Sequence, residues 1–262
     1  MSGPLMISVV TPSFNQGMYI EETIRSVRDQ DYPSFEHIVM DGNSTDGTVD
    51  ILRRYPHLKW TSEKDRGQSH ATNKALKIAQ GDIIGWLNSD DLYFPGVFRR
   101  VNEIFRENPG VSMIYGGAVV IDENGTTLFE RYPPQVSFRK MVNRGHSLLI
   151  QPSVFFRRTI VEQLGYMDES ISLGMDYDYW LRILKRFRCL KVDELFSYYR
   201  INAKGGTIAN RKKDIISGFR ICKKNVGRVP LVTYLNIGSK YVYYLVPGIS
   251  HRLNRLKYAF KK

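Results

Sequence analysis

Between residues 5 and 87, short apolar runs alternate with amphipathic helical segments, and this alternation constrains the fold more than any other feature of the chain. LMISVVT, FEHIVMD, LKWTSE and DIIGWL read as strands, while MYIEETIRSVRDQ, TVDILRRY and SHATNKALKIA between them read as helices. Strands that alternate with helices pair in parallel, because each helix must cross back over the sheet before the next strand begins. Beyond residue 92 the pattern changes. VFRRVNEIFREN reads as a helix, and VSMIYGGAVVID and TTLFERY flank the turn Glu123-Asn124-Gly125 as a hairpin. QPSVFFRR reads as a further strand, DYDYWLRILKRF as an amphipathic helix, LKVDELFSYYRI as short strands, and VSFRKMVNRG as a loop or short helix. The expectation is an α/β domain with a parallel half over residues 1–92 and a mixed half over 93–203, flanked by helices.

Charge divides the chain at the end of that domain. Residues 204–262 hold fourteen of the 38 Lys and Arg but one of the 26 acids, Asp214, so this segment carries +13 and the remainder −1. It contains a basic helical pattern, TIANRKKDIISGFRICKKNVGR, then the aromatic and apolar VPLVTYLNIGSKYVYYLVPGI, then HRLNRLKYAFKK. Spanning a bilayer takes about 20 apolar residues, and Asn236, Gly238, Lys240 and Pro247 interrupt this stretch. Tyrosines at headgroup level with Lys and Arg on anionic lipid suit an interfacial helix better; packing on the domain and a true span are the alternatives. The near-neutral main domain offers no basic channel, so no nucleic acid is expected as a partner. Two separated cysteines, Cys189 and Cys222, form no disulfide framework, and the N-terminus lacks a basic leader. Both features point to a reducing, cytoplasmic setting.

Three acidic clusters follow strand ends: Asp41 in VMDGNSTDG, Glu63 and Asp65 in WTSEKDRGQS, and the adjacent pair Asp90-Asp91 in WLNSDD. In an open parallel sheet the ligand crevice lies at the carboxyl ends of the strands, so these loops should share one rim with TPSFNQG after the first strand. Adjacent carboxylates repel, and burying them is costly unless an Arg or a divalent cation pairs with them. A nucleoside diphosphate bound through Mg²⁺ or Mn²⁺ would satisfy Asp90 and Asp91, with a base N–H on Asp41 and Arg66 as a second counter-charge. No GxGxxG follows the first strand and no GxxxxGK[ST] occurs, so a glycine-cradled dinucleotide or P-loop site is excluded at the motif level. Each acid also has a plainer reading: Asp91 as a helix cap, Thr45 or Asp46 as the opening of the next helix, Arg66 as a solvated surface residue.

The runs SVVTPSFNQGMYIEETIRSVRDQDYPSFEHIVMDGNSTDGT and EKDRGQSHATNKALKIAQGDIIGWLNSDD resemble the nucleotide-sugar half of glycosyltransferase family 2, which has the GT-A fold. QPSVFFRRTIVEQLGYMDESISLGMDYDYWLRI resembles the acceptor half of bacterial members that build surface polysaccharides. The resemblance implies an inverting, metal-dependent transferase that moves a sugar from a nucleotide diphosphate sugar, UDP foremost, to a hydroxyl of a glycan acceptor carried on polyprenyl diphosphate. It implies nucleobase contacts at Pro12, Phe14, Asn15 and Asp41, diphosphate contact near Arg66, ribose and metal contacts at Asp90 and Asp91, and a catalytic base at Asp176. It also implies peripheral attachment at the inner face of the plasma membrane. Met175 replaces the first carboxylate of the pair usual before that base. Neither Gln151 nor Asn202 is the His many relatives carry, so a third protein ligand to the metal is not supplied there. Asp178 points elsewhere on its helix, Trp180 is core or acceptor-pocket wall, and His70 and His146 are surface residues. A sugar nucleotidyltransferase is the alternative enzyme, for which TPSFNQG is a poor triphosphate loop; a nucleic-acid- or membrane-binding protein acting through the basic tail is the alternative of another class.

Overall fold

The computed structural model describes residues 3–201 and 211–245. Nine strands form one sheet: β1 (Ile7–Ser13), β2 (Phe35–Asp41), β3 (Leu58–Ser62), β4 (Ile83–Trp86), β5 (Leu92–Tyr93), β6 (Met113–Ile121), β7 (Thr127–Arg131), β8 (Val154–Arg157) and β9 (Cys189–Arg200). Their order is β3-β2-β1-β4-β8-β6-β9-β5, with β7 paired to β6. The first four strands are mutually parallel. β8 then runs antiparallel to β4 and to β6, and β9 is again parallel to β6. The parallel half and the mixed half thus meet between β4 and β8, where the sequence changes pattern.

Helices α1 (Ile20–Arg28), α2 (Thr48–Arg53) and α3 (Gln68–Ile78) belong to the first half, α4 (Val97–Glu107), α5 (Phe138–Arg144), α6 (Thr159–Leu164) and α7 (Met175–Leu184) to the second. Each presents an apolar stripe. In α1, Ile20, Thr23, Ile24 and Val27 recur at the 3.6-residue period and are buried. Successive residues of a strand face opposite sides, so Val10, Ile84 and Trp86 pack under α3 and α7, while Val9, Ile83 and Leu87 pack with α4. With a third, smaller cluster of Ile20, Ile24, Val39, Leu52, Tyr55 and Leu58 beside α1 and α2, apolar packing covers both faces of the sheet.

The segment read as short strands, 190–201, is instead one long strand, β9. Its register against β6 slips between Tyr115 and Ala118, where Lys191 pairs Tyr115 but Leu195 already pairs Gly117. The extra residues of β9 bulge over Gly116, where a Cβ would lie 2.8 Å from Glu194 O and from the Phe196 ring. Two further helices fall within the basic segment, α8 (Arg211–Val226) and α9 (Leu231–Leu245). α8 packs on α7 through buried Ile221 and Cys222, and through Lys224, which with Asn225 binds the buried Asp178 carboxylate at 2.9–3.1 Å. Among the described residues no helix is long and apolar enough to cross a membrane.

Candidate active site

The carboxyl ends of β1, β4 and β9 and the start of β8 share one edge of the sheet, because β8 runs opposite to its neighbours. A cleft of about 630 Å³ opens there. Its walls carry Pro12 near the end of β1 and Phe14 just after it, Asp90 and Asp91 after β4, Gln151 before β8, Tyr199 and Arg200 at the end of β9, and Asp176 at the start of α7. Five of the sequence-predicted site residues, Pro12, Phe14, Asp90, Asp91 and Asp176, therefore meet in one cavity.

Asp91 is buried, and its Oδ1 accepts the Arg200 backbone N–H at 2.9 Å. Its Oδ2 is buried without a partner among the described residues. Arg200 lies beside the acidic pair but spends its donors elsewhere: Nε on the Asp90 carbonyl, one terminal nitrogen on the carbonyls of Asp122 and Glu123, the other on Glu22 at 2.6 Å. Its guanidinium also stacks over Tyr19 at 4.7 Å. Burial, joined for Asp91 by the charge of Asp90, pushes both carboxyls above their usual range. A buried carboxylate oxygen with no donor, beside a second carboxylate on an open cleft, is the chemistry that Mg²⁺ or Mn²⁺ completes with one or two carboxylates plus phosphate oxygens. The acidic pair fits such an ion. Among the described residues no group of three or more His, Cys, Asp or Glu could hold one by itself, and Asn202 lies outside the described residues.

Asp176 occupies the first turn of α7, after Gly174 in the left-handed conformation (φ 75°). Burial raises its carboxyl to about 6; the Tyr177 backbone N–H partly offsets this, and the charge of Asp214 on α8 adds to it. The Tyr199 phenol, pushed up to about 12 by burial, also feels Asp91, Asp176 and Asp90, so the three acids act on one wall of the cleft. Asp178, two residues on, faces away into the α8 contact. Trp180 is fully buried in the core.

The remaining predicted residues, Asp41, Asn15 and Arg66, are not among those that line the cleft. Asp41 is fully buried at the end of β2. Its Oδ2 accepts the Ser44 N–H and the Ser62 hydroxyl, and its Oδ1 the Ser44 hydroxyl, so it organises the following loop. Asn15, at φ 51°, ties the β1 loop to the β2 loop by donating its N–H to Ser44 Oγ and accepting the Thr45 N–H. The Phe14 ring is 59% exposed and closes on Gly42 and Asp65, where a Cβ on Gly42 would lie 2.9 Å from Asp65 Oδ2 and 3.2 Å from the ring. Arg66 is on the surface, ion-paired with Glu169. His70 accepts the Arg66 N–H, and His146 Nδ1 meets the Arg144 carbonyl.

Sequence reasoning missed Arg200 and an amide relay. Gln151 Nε2 donates to the Trp86 carbonyl at 2.5 Å, Asn88 Nδ2 to Gln151 Oε1 at 2.8 Å, and Gln68 Nε2 to Asn88 Oδ1 at 2.7 Å. Because a carbonyl can only accept, Trp86 fixes the polarity of all three amides. Gln68 is left presenting its oxygen, an acceptor suited to a hydroxyl.

Residues 8–165 match the family described as glycosyl transferase family 2. The chain belongs to that family. A Bacillus subtilis member named for teichuronic acid biosynthesis is 32% identical over 206 residues, spanning 75% of this chain and 79% of the relative. An uncharacterised glycosyltransferase of Methanocaldococcus jannaschii is 27% identical over 234 residues, 85% of this chain and 80% of its own length. Among solved structures, residues 1–349 of TarS from S. aureus align with a TM-score of 0.67 at 19% identity, covering 92% of this chain and 74% of that one. A TarS complex with UDP-GlcNAc aligns at 0.66 and 20% identity, over 87% and 68% of the two chains. A mannosyltransferase from Pyrobaculum calidifontis in complex with GDP-Man and Mn²⁺ aligns at 0.64 and 20% identity, over 98% and 76%. The curled mixed sheet flanked by helices is thus the GT-A architecture of glycosyltransferases, and this chain is a glycosyltransferase of family 2.

Proposed function

We propose that this chain transfers a sugar, with inversion, from a nucleoside diphosphate sugar to a hydroxyl of a glycan acceptor. UDP is the leading nucleotide, and the acceptor is a growing surface polysaccharide on polyprenyl diphosphate at the inner face of the plasma membrane. Residues 1–203 form the transferase domain, with 1–92 facing the nucleotide and 93–203 the acceptor, and 204–262 the membrane-associating appendage. The observation that carries the reading is the meeting of Asp90, Asp91 and Asp176 around one cleft.

Phe14 offers its exposed face to the nucleobase, with Pro12 and Asn15 shaping the loop and Asp41 accepting the base N–H through the lone pair that Ser44 and Ser62 leave over. Arg66 exchanges Glu169 for the diphosphate. Asp90 and Asp91 would hold Mg²⁺ or Mn²⁺, with Asp90 also meeting the ribose. When bound, such an ion supplies Lewis-acid stabilisation of charge on the departing diphosphate. Asp176, ionised above about pH 6, takes the proton of the acceptor hydroxyl as its oxygen attacks the anomeric carbon on the face opposite the leaving group. One such displacement inverts the centre, and general-base help is worth about 10²–10⁴ in rate. The oriented Gln68 oxygen accepts from a sugar hydroxyl.

The test is donor turnover across UDP-, dTDP- and GDP-sugars with Mg²⁺ or Mn²⁺. Turnover that is fastest with a UDP-sugar and stops on chelation is expected. Failure to consume any nucleotide sugar with either ion would overturn the reading.

A further inference from the structure

A second concavity, about 450 Å³, lies between α5 and α9, away from the transferase cleft. Three exposed cations of α5, Arg139, Lys140 and Arg144, line it. Among the described residues none of them makes an ion pair with an acid, unlike Arg25, Arg100 and Arg158 elsewhere on the surface; Lys140 Nζ donates to the Gln135 carbonyl at 2.8 Å. The opposite wall is α9, through Val232 and Asn236.

The groove is held rigidly. Thr233 donates to the Val142 carbonyl at 3.1 Å and Asn236 to the Asn143 carbonyl at 2.8 Å, so α9 caps the last turn of α5. Gly145, at φ 71°, ends α5 so close to α9 that a Cβ there would strike the Ile237 side chain at 2.5 Å. Thr233 and Ile237 therefore define the face of α9 that meets the domain. Leu231 and Leu235, one turn apart, lie on the opposite face and are 75% and 65% exposed, and Val232 on the groove rim is 42% exposed. A row of large apolar side chains beside unpaired cations is not an ordinary solvated helix face.

We infer that the α5–α9 groove is the bilayer contact of this enzyme, Arg139, Lys140 and Arg144 taking the phosphate of an anionic phospholipid while Leu231, Val232 and Leu235 enter the acyl boundary. The inference rests on the reading of an enzyme that meets a membrane-borne acceptor, and it moves part of the contact from the basic tail into the folded domain. Thr233 and Asn236 bind the carbonyls of Val142 and Asn143, so the described part of α9 lies along the surface of the domain. Its apolar face supplies burial and the α5 cations supply attraction that salt weakens.

The test is co-sedimentation of the full chain with vesicles of phosphatidylcholine, with or without phosphatidylglycerol, alongside soluble nucleotide-sugar turnover. Wild type should bind only the anionic vesicles. R139A/R144A should bind them about fivefold more weakly per cation removed. L231S/L235S should lose the binding that persists in high salt, and all variants should keep donor turnover, which shows that they are folded. Vesicle binding unchanged in both variants would overturn the groove assignment, as would displacement by millimolar glycerol phosphate, which would mark a site for soluble phosphate. Wild type that turns over donor without binding vesicles would overturn it and leave the transferase reading intact; wild type that binds vesicles but consumes no donor would do the reverse.

Discussion

At Asp176 burial opposes ionisation, and the backbone N–H at the start of α7 offsets it in part. Since the folded carboxyl titrates at about 6 against an ordinary 3.8, a base at this position is protonated and idle at pH 5. Transfer should therefore rise with pH, bend near 6 and level off above it, measured as kcat/KM against pH. Stability moves the other way. Between about pH 4 and 6 the native chain holds a proton that the unfolded chain has released, so this group's contribution falls as pH rises through that window and stays flat above it. Asp176→Asn, which carries no charge, should melt higher than wild type at pH 7.5, with the gain shrinking toward pH 4. A gain independent of pH would show that Asp176 does not feel its burial. Arg200 makes the complementary point about legibility. In the sequence it is one cation closing an apolar strand. In the fold it joins Glu22, Asp90, Asp122 and Glu123 from three distant segments, and no local pattern encodes that convergence.

Among the elements, β4 is packed without room for one more carbon. A Cβ on Gly85 would collide with the Tyr93 hydroxyl and lie 2.9 Å from the Phe155 ring. Gly85→Ala should destabilise the fold by about 1–3 kcal/mol through overpacking, read as a lower denaturant midpoint with unchanged slope. The α7–α8 contact depends on Asp178, whose side chain is 1% exposed, while its partner Lys224 is 43% exposed and can rehydrate. Asp178→Ala should then cost about 3 kcal/mol, the low end for breaking a buried pair, and speed hydrogen exchange in α8 before the sheet. Exchange that accelerates equally in β1 would contradict a local role. β1–β4, α1, α3, α4 and α7 are readable in the chain, because each helix buries one stripe while β1, β2 and β4 are short apolar runs buried almost end to end. β5 and α6 escaped the reading: a two-residue strand and a six-residue helix are too short to show a period. β9 was read as broken because its bulge over Gly116 interrupts the alternation at Asp193-Glu194.

For the whole molecule, the acids that follow β-strands were legible as a rim because a parallel sheet sends all its carboxyl ends to one edge. That topology brings Asp90 and Asp91 to the cleft without any contact in the sequence between them and Asp176. Side-chain commitments were not legible. Nothing local says that Asp41 is held by Ser44 and Ser62, that Arg66 pairs with Glu169 across more than a hundred residues, or that Trp86 orients three amides. The charge step at residue 204 was plain in the composition, yet buried Cys222 and the Asp178–Lys224 pair tie the first helix beyond it to the domain.

The most direct test is donor turnover titrated with Mn²⁺ in Asp176→Asn and Asp91→Asn side by side. If one cleft divides the labour as proposed, Asp176→Asn lowers the rate ceiling by about 10²-fold or more while keeping the wild-type Mn²⁺ dependence, and Asp91→Asn shifts the Mn²⁺ requirement sharply upward. Wild-type ceilings and wild-type Mn²⁺ curves in both variants would mean that these carboxylates share a cavity but no chemistry.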